Sequence, residues 1–297
     1  MLTNRIIRNL KEEFIKSCLF AAALSSILIT AGIVIILGKE TLSFFKYVPV
    51  KDFIFDHQWT PLFSDKHFGI ASLLSGTLTV TGVAAIVALP LGIIIAVYLS
   101  EYATPKSREI IKPALELLAG IPTVIYGYFA LLFLTPILQK IIHDLPTFNA
   151  LSPGIIIGVM IIPYISSLSE DAMSSVPMHI REGSIACGAT TLQTAFKVVI
   201  PSAFSGIAAA FIMGISRAIG ETMVVAIAAG MMPQLSLNPL EPIQTITAYI
   251  VQVSLGDAPH DTVEYHSIFS AGSALFCITL FFNIIGFWLK KRIREAY

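Results

Sequence analysis

Six apolar stretches, each long enough to cross a bilayer, constrain this chain more than any other feature of its sequence. They cover residues 17–38, about 70–100, about 113–139, 152–176, 201 to about 230, and about 267–289. A spanning helix needs about 20 predominantly apolar residues. Lipid offers no hydrogen bonds, so each segment must satisfy its own backbone, and a helix does this. The expected fold class is therefore all-α, a polytopic membrane protein with six transmembrane helices. The first stretch is read as retained rather than as a signal peptide. It exceeds an h-region of about 7–15 residues, and no small-x-small cleavage site follows it.

Composition closes the alternatives. Charged residues make up 13% of the 297, and hydrophobic ones 55%, where a soluble domain carries roughly 25% charge. Mean hydropathy is +0.80. Too few charges remain to build a polar skin around a soluble core. Three cysteines rule out a disulfide scaffold. The 19 Lys and Arg are balanced by 19 Asp and Glu, so no basic field exists to attract nucleic acid.

Basic residues set the expected orientation. With the N-terminus inside, segments 1–16, 101–112, 177–200 and 290–297 hold thirteen Lys and Arg, and the outer segments hold five. The reverse topology would invert that bias. Both termini are expected in the cytoplasm. The outer segment 39–69 carries eight aromatics (Phe44, Phe45, Tyr47, Phe53, Phe55, Trp59, Phe63, Phe68), read first as an interfacial belt. Residues 243–255 suggest a helix too short to span, re-entrant or lying on the outer surface.

No enzyme constellation stands out. His57, His67, His143, His179, His260 and His266 are scattered, and Cys18, Cys187 and Cys277 fall in separate segments. No metal-ligand spacing results. The run 32–40 reads GIVIILGKE. It has five residues between its glycines and a glutamate after the lysine, so it is not a P-loop.

Two charges demand explanation. Arg217 and Glu221 lie inside the fifth stretch, where a charged residue costs roughly 2.5–3.5 kcal/mol. If that stretch is one helix, they share a face and can pair. A self-neutralising pair is one reading; the lining of a polar path is the one favoured, because a buried pair alone is costlier than two leucines. Gly206, Ala210, Gly214, Ala218, Thr222, Ala226 and Gly230 add a row of small residues. Such rows let helices approach closely in lipid, so this helix is expected at the centre of the bundle. Glu116, Glu170 and Asp171 are placed near the inner interface, solvated. Pro90, Pro122, Pro136 and Pro163 are expected to kink spans two to four.

Segment 177–200 has apolar residues at helical spacing and Gly188 where a turn falls. A short helix–turn–helix on the inner surface fits it, suited to holding a cytoplasmic partner. At this point the residues resemble a family. Glu182-Gly183-Ser184, Gly188 after three more residues, then Val198-Val199-Ile200-Pro201 are similar to the EAA loop, E-A-A-x3-G-x9-I-x-L-P, of ABC importer permeases. Gly183 and Ser184 replace the two alanines. The runs ELLAGIPTVIYG at 116–127, MIIPY at 160–164 and SRAIGETM at 216–223 resemble the phosphate-importer branch, over about residues 66–290.

The resemblance implies the type I (MetI-like) ABC importer permease fold, with a permease core at 70–297 after a leading part at 1–69. It implies a sister permease, a phosphate-binding protein at the outer face, and a cytoplasmic ATPase dimer that binds ATP and magnesium. This chain would itself carry no cofactor, no metal and no catalytic residue. Glu182, Gly183, Gly188 and Pro201 would mark the ATPase coupling loop, and Arg217 and Glu221 the path for phosphate. From the chemistry alone, sulfate or molybdate as cargo and a secondary transporter stay open. A membrane-embedded enzyme and a structural or signalling subunit stay open with them.

Overall fold

The computed structural model describes residues 2–257, 259 and 262–292; His260 and Arg294 lie outside them. Among the described residues every regular element is helical, and strand-like pairing is limited to two isolated bridges, Trp59–Phe68 and Gly230–Ile243. Helix α1 (Leu2–Phe44) precedes a short α2 (Val50–Phe55). The second span is α3 (Ala71–Val97), which ends in a π-turn at Tyr98–Tyr102.

The third stretch divides. Residues 105–120 form a separate amphipathic helix, α4 (Pro105–Gly120), and the span itself begins after Pro122. It runs through α5 (Thr123–Phe129), a π-turn at Ala130–Leu134, and α6 (Thr135–Ile141). Pro113 and Glu116 therefore belong to α4 and not to the span. Pro122 causes the division, since it disfavours helix at Ile121 and cannot donate to the turn before it.

The fourth span is α7 (Leu151–Ser174). Next come α8 (Met178–Ala186), α9 (Thr191–Thr194), a π-turn at Ala195–Val199, and α10 (Ile200–Ser202). The fifth stretch is α11 (Phe204–Ile219), then a break, then α12 (Met223–Ala228). Last are α13 (Ile246–Gln252) and α14 (Val263–Arg292). Among the described residues, five helical segments are long and apolar enough to span a bilayer. They become six when Thr191–Ser202 and Phe204–Ile219, bent by 75°, count as one.

The expected kinks take another form. Helix continues through Pro90 and Pro163. Pro136 and Pro201 each follow a π-turn, in which Thr135 donates to Ala130 and Ile200 to Ala195. The wider turn absorbs the donor that each proline lacks.

Glycine sets the central packing. A Cβ on Gly154 or Gly158 of α7 would come within 2.7–2.8 Å of Val83 and Val87 on α3. A Cβ on Gly92 or Gly214 would strike Ile165 of α7. Helix α7 is thus wedged between α3 and α11, and it is the most enclosed span. The small-residue row of the fifth stretch does pack on it, through Gly206 against Ala172 and Gly214 against Ile165. That row stops where α11 ends, so α7 rather than the fifth span holds the centre.

Four of the eight aromatics in 39–69 are not a lipid-facing belt. Phe44, Phe53, Trp59 and Phe68 are buried with Ile246 and Tyr249 of the 243–255 segment. Edge-to-face contacts tie them together, with Trp59 and Tyr249 centroids 5.0 Å apart. The α2 region and α13 therefore form a small apolar cap of their own over one end of α3. Tyr47, Phe55 and Phe63 remain exposed, as a belt requires.

Candidate functional site: a mid-membrane arginine and a surface docking loop

The sequence places Arg217 and Glu221 on one helix face; the structure separates them. Helix α11 ends at Ile219, and Gly220 leaves helical geometry with ψ near 0°. Arg217 therefore sits in the last turn of α11, where a cation is favoured by the exposed carbonyls. Glu221 lies beyond the helix. Its Oε1 accepts the backbone N–H groups of Met223 (3.2 Å) and Val224 (3.4 Å) at the start of α12. Its own carbonyl accepts the Thr247 hydroxyl at 2.7 Å. The buried carboxylate is thus spent on starting a helix, and charge-assisted bonds of that kind offset its desolvation.

Arg217 finds no carboxylate. No ion pair to it forms among the described residues. Its Cζ lies instead 4.8 Å from the centroid of the Tyr164 ring on α7. Both residues line a cavity of about 370 Å³ with Leu168, Met213, Ser216, Gly220 and Glu221. Tyr164 and Leu168 are four apart on α7, as are Met213 and Arg217 on α11, so two helix faces enclose it. Tyr164 lies 13 residues from Leu151 and 10 from Ser174, about 20 and 15 Å along the helix. The guanidinium therefore lies beside the middle of α7. Ser216 adds a buried hydroxyl that makes no hydrogen bond.

Tyr164 was not singled out from the sequence as a site residue, although it ends the run MIIPY. An aromatic in a span normally reads as packing. Only the fold brings the arginine over its ring.

The 177–200 segment forms the helix–turn–helix its spacing suggests. Gly188 has φ +86°. Its N–H donates to Ile185, and that of Ala189 to Ser184, a Schellman end that glycine permits. Thr190 and Gln193 then form a capping box that starts α9. Glu182 and Gly183 are exposed on α8. A Cβ on Gly183 would meet nothing within 4 Å, so the alanine of the EAA pattern fits here. Ile185, Leu192 and Phe196 are exposed as well, which makes the outer side of this knob apolar. Pro201 opens α10 at the foot of the bend.

Ion pairs anchor the knob. Arg181 of α8 donates to the Met173 carbonyl at 2.7 Å and pairs with Glu101 at 3.4 Å. Arg108 of α4 donates to the carbonyls of Leu99 and Ser100. Glu170 is not solvated: it is 2% exposed and pairs with Lys112 of α4 at 2.5 Å. Asp171 does face solvent. Among the described residues no group of three His, Cys, Asp or Glu could hold a metal, and all three cysteines are free and exposed.

Comparison with known proteins decides the family. The model of the binding-protein-dependent transport system inner membrane component family matches residues 88–295. The chain belongs to this family. It is a multi-pass membrane permease, 33% identical over 294 residues to the probable ABC transporter permease protein YqgH of Bacillus subtilis, covering 98% of this chain and 95% of that one. It is 32% identical to the phosphate transport system permease protein PstC of Mesorhizobium japonicum, with 92% and 88% covered. A third permease relative, the probable PstC of Methanocaldococcus jannaschii, is 31% identical over 77% of both chains.

Solved permease structures agree on the fold. A bacterial ABC transporter involved in the import of alginate aligns over 98% of this chain and 100% of its own, with a TM-score of 0.66 at 20% identity. The inward-facing MetNI methionine transporter aligns over 76% and 95%, with a TM-score of 0.56. The matched permease region begins inside α3, at residue 88.

Proposed function

We propose that this chain is the permease subunit of an ATP-driven importer of inorganic phosphate, and that Arg217 receives the anion within the membrane. The observation that carries the role of Arg217 is its guanidinium, without a carboxylate partner among the described residues, facing a cavity beside the middle of α7. Relatives named as phosphate permeases, alike over most of their length, support the cargo. Phosphate at neutral pH is a mono- or dianion, and guanidinium matches its oxygens with planar paired donors. A path residue must also release what it binds. Glu221, buried beside the same cavity, supplies a fixed negative charge that limits residence of the anion.

The surrounding assembly follows from the family. A sister permease completes the path, and a phosphate-binding protein delivers cargo to the outer face. A cytoplasmic ATPase dimer, which binds ATP and magnesium, docks on the loop containing Glu182, Gly183, Gly188 and Pro201. Both termini then face the cytoplasm, as the basic residues require. Closing and opening of the ATPase would move α8 and α9, and with them α11, whose first turn follows the bend. This chain binds no cofactor in that scheme.

The test is phosphate uptake into proteoliposomes that hold the full complex, with sulfate and molybdate as competitors. Arg217→Gln should abolish most uptake while the complex still assembles. Uptake at the unmodified rate would sink the role of Arg217. Preferential transport of sulfate or molybdate would reassign the cargo.

A further inference from the structure

A carboxylate that holds an arginine fixes it and takes up some of its donors. Arg217 is held differently. The one carboxylate at the cavity, Glu221, is turned to the backbone of α12. The group under the guanidinium is the Tyr164 ring, 4.8 Å away. We propose that Tyr164 is a positioning residue of the anion path, whose ring face holds the Arg217 guanidinium at the cavity while leaving its N–H donors free. This rests on the reading of Arg217 as the anion-receiving residue.

Three features of the site support it. A ring attracts a cation through its quadrupole and accepts no conventional hydrogen bond from it, so the five N–H groups of the fork stay available. The attraction is also weaker than an ion pair, so an entering dianion can draw the guanidinium off the ring and later return it. Ser216 lines the same cavity, and its hydroxyl is buried with no hydrogen bond among the described residues. A turn about its Cα–Cβ bond would bring it to an entering oxyanion as a neutral donor beside the one cation. Tyr164 and Arg217 sit on different helices, α7 and α11, packed through Ile165 and Gly214. The ring contact therefore also reports how those two helices stand against each other during transport.

The experiment uses the complete complex in proteoliposomes, at saturating binding protein, with uptake and ATP hydrolysis followed together. Tyr164→Phe keeps the ring face and should stay within about twofold of the parent. Tyr164→Leu removes the ring and should lower uptake about tenfold. A series of fluorinated phenylalanines at position 164, which drains the ring quadrupole at nearly constant shape, should lower uptake in step with fluorine number. In the Arg217→Gln background, Tyr164→Leu should add little. A flat fluorine series, or full additivity of the two losses, would overturn the proposal and leave Tyr164 a packing residue. Loss of uptake in Arg217→Gln with no effect of Tyr164→Leu overturns this inference alone. Normal uptake by Arg217→Gln overturns the underlying reading as well.

Discussion

Arg181 on the surface helix α8 meets Glu101, at the end of the second span, with 3.4 Å between Nη2 and Oε1 and both side chains largely buried. The pair joins the 177–200 segment to the membrane core at a point where water is scarce. Removing one partner strands the other, which in buried pairs costs on the order of 3–5 kcal/mol. With Arg181 15% exposed, about 2–3 kcal/mol is expected for Arg181→Gln or Glu101→Gln. The double variant should lose less than the sum of the two singles. Thermal unfolding of the purified complex measures all three. Strict additivity would show that the pair is not coupled.

Glu221 offers a second test, because capping and charge can be separated. Glu221→Gln keeps an acceptor for the N–H groups of Met223 and Val224, and should destabilise by less than about 1 kcal/mol. Glu221→Ala leaves both donors without their partner, in a buried place, and should lose about 1–2 kcal/mol. Hydrogen exchange at residues 222–228 locates the effect. Equal exchange in the two variants would remove the capping role.

The two glycines of the 177–200 segment should respond in opposite directions. Gly183 lies inside α8 with open space where a Cβ would go, so Gly183→Ala should stabilise by about 0.5–1 kcal/mol. Gly188 holds φ +86°, so Gly188→Ala should lose about 1 kcal/mol. Melting temperatures of the two variants check the signs. A loss at position 183 would mean that α8 is not held as a helix.

The segment 56–69 should be pH-sensitive around His67. Its Nδ1 lies 2.8 Å from Asp56 Oδ2 and its Nε2 lies 3.4 Å from Asp65 Oδ2. The Asp56 bond raises the imidazole above its ordinary 6.5, with Asp65 assisting against some desolvation. Asp56 is held below its ordinary 3.8: burial opposes this, and the Gln58 N–H and His67 outweigh it. The histidine contribution is complete below about 6.5 and is lost as pH rises through its raised value. The aspartate contribution is complete above about 3.8 and is lost as pH falls through its lowered value. Proteolysis of segment 56–69 should be slowest between those limits and faster at pH 8.5. Asp56→Asn should flatten the alkaline limb, and an unchanged profile in that variant would refute the assignment.

The spans were legible because lipid demands uninterrupted apolar runs, and the helix–turn–helix of 177–200 because Gly188 and the Thr190–Gln193 box carry their geometry locally. The break at Gly220 was not legible. Ala218, Thr222 and Ala226 carry the small-residue period straight across it, and what stabilises the break is the Thr247 hydroxyl, 26 residues away. Glu170 was misplaced for a similar reason, since its partner Lys112 arrives on α4, a helix that straddles the inner segment 101–112 and the start of the third stretch. In 39–69, aromatic content alone could not separate Phe44 and Trp59, which are core, from Tyr47 and Phe55, which are not. The site was half visible. Arg217 announces itself as a charge in lipid, but Tyr164 becomes informative only once α7 and α11 are side by side.

The contacts of α1 bear on how the molecule is made. Thr41 bonds to the Phe269 carbonyl at 3.0 Å and to Ser273 at 2.7 Å, so the first helix docks on the last, 228 residues later. At about 5–20 residues per second, α1 waits on the order of 10–50 s in lipid before its partner is synthesised. Its membrane stretch is apolar on every side and almost wholly exposed even in the finished fold. A helix with that surface needs no chaperoning neighbour, and the bundle can be closed by its final segment without leaving a polar face stranded in the bilayer while the ribosome works.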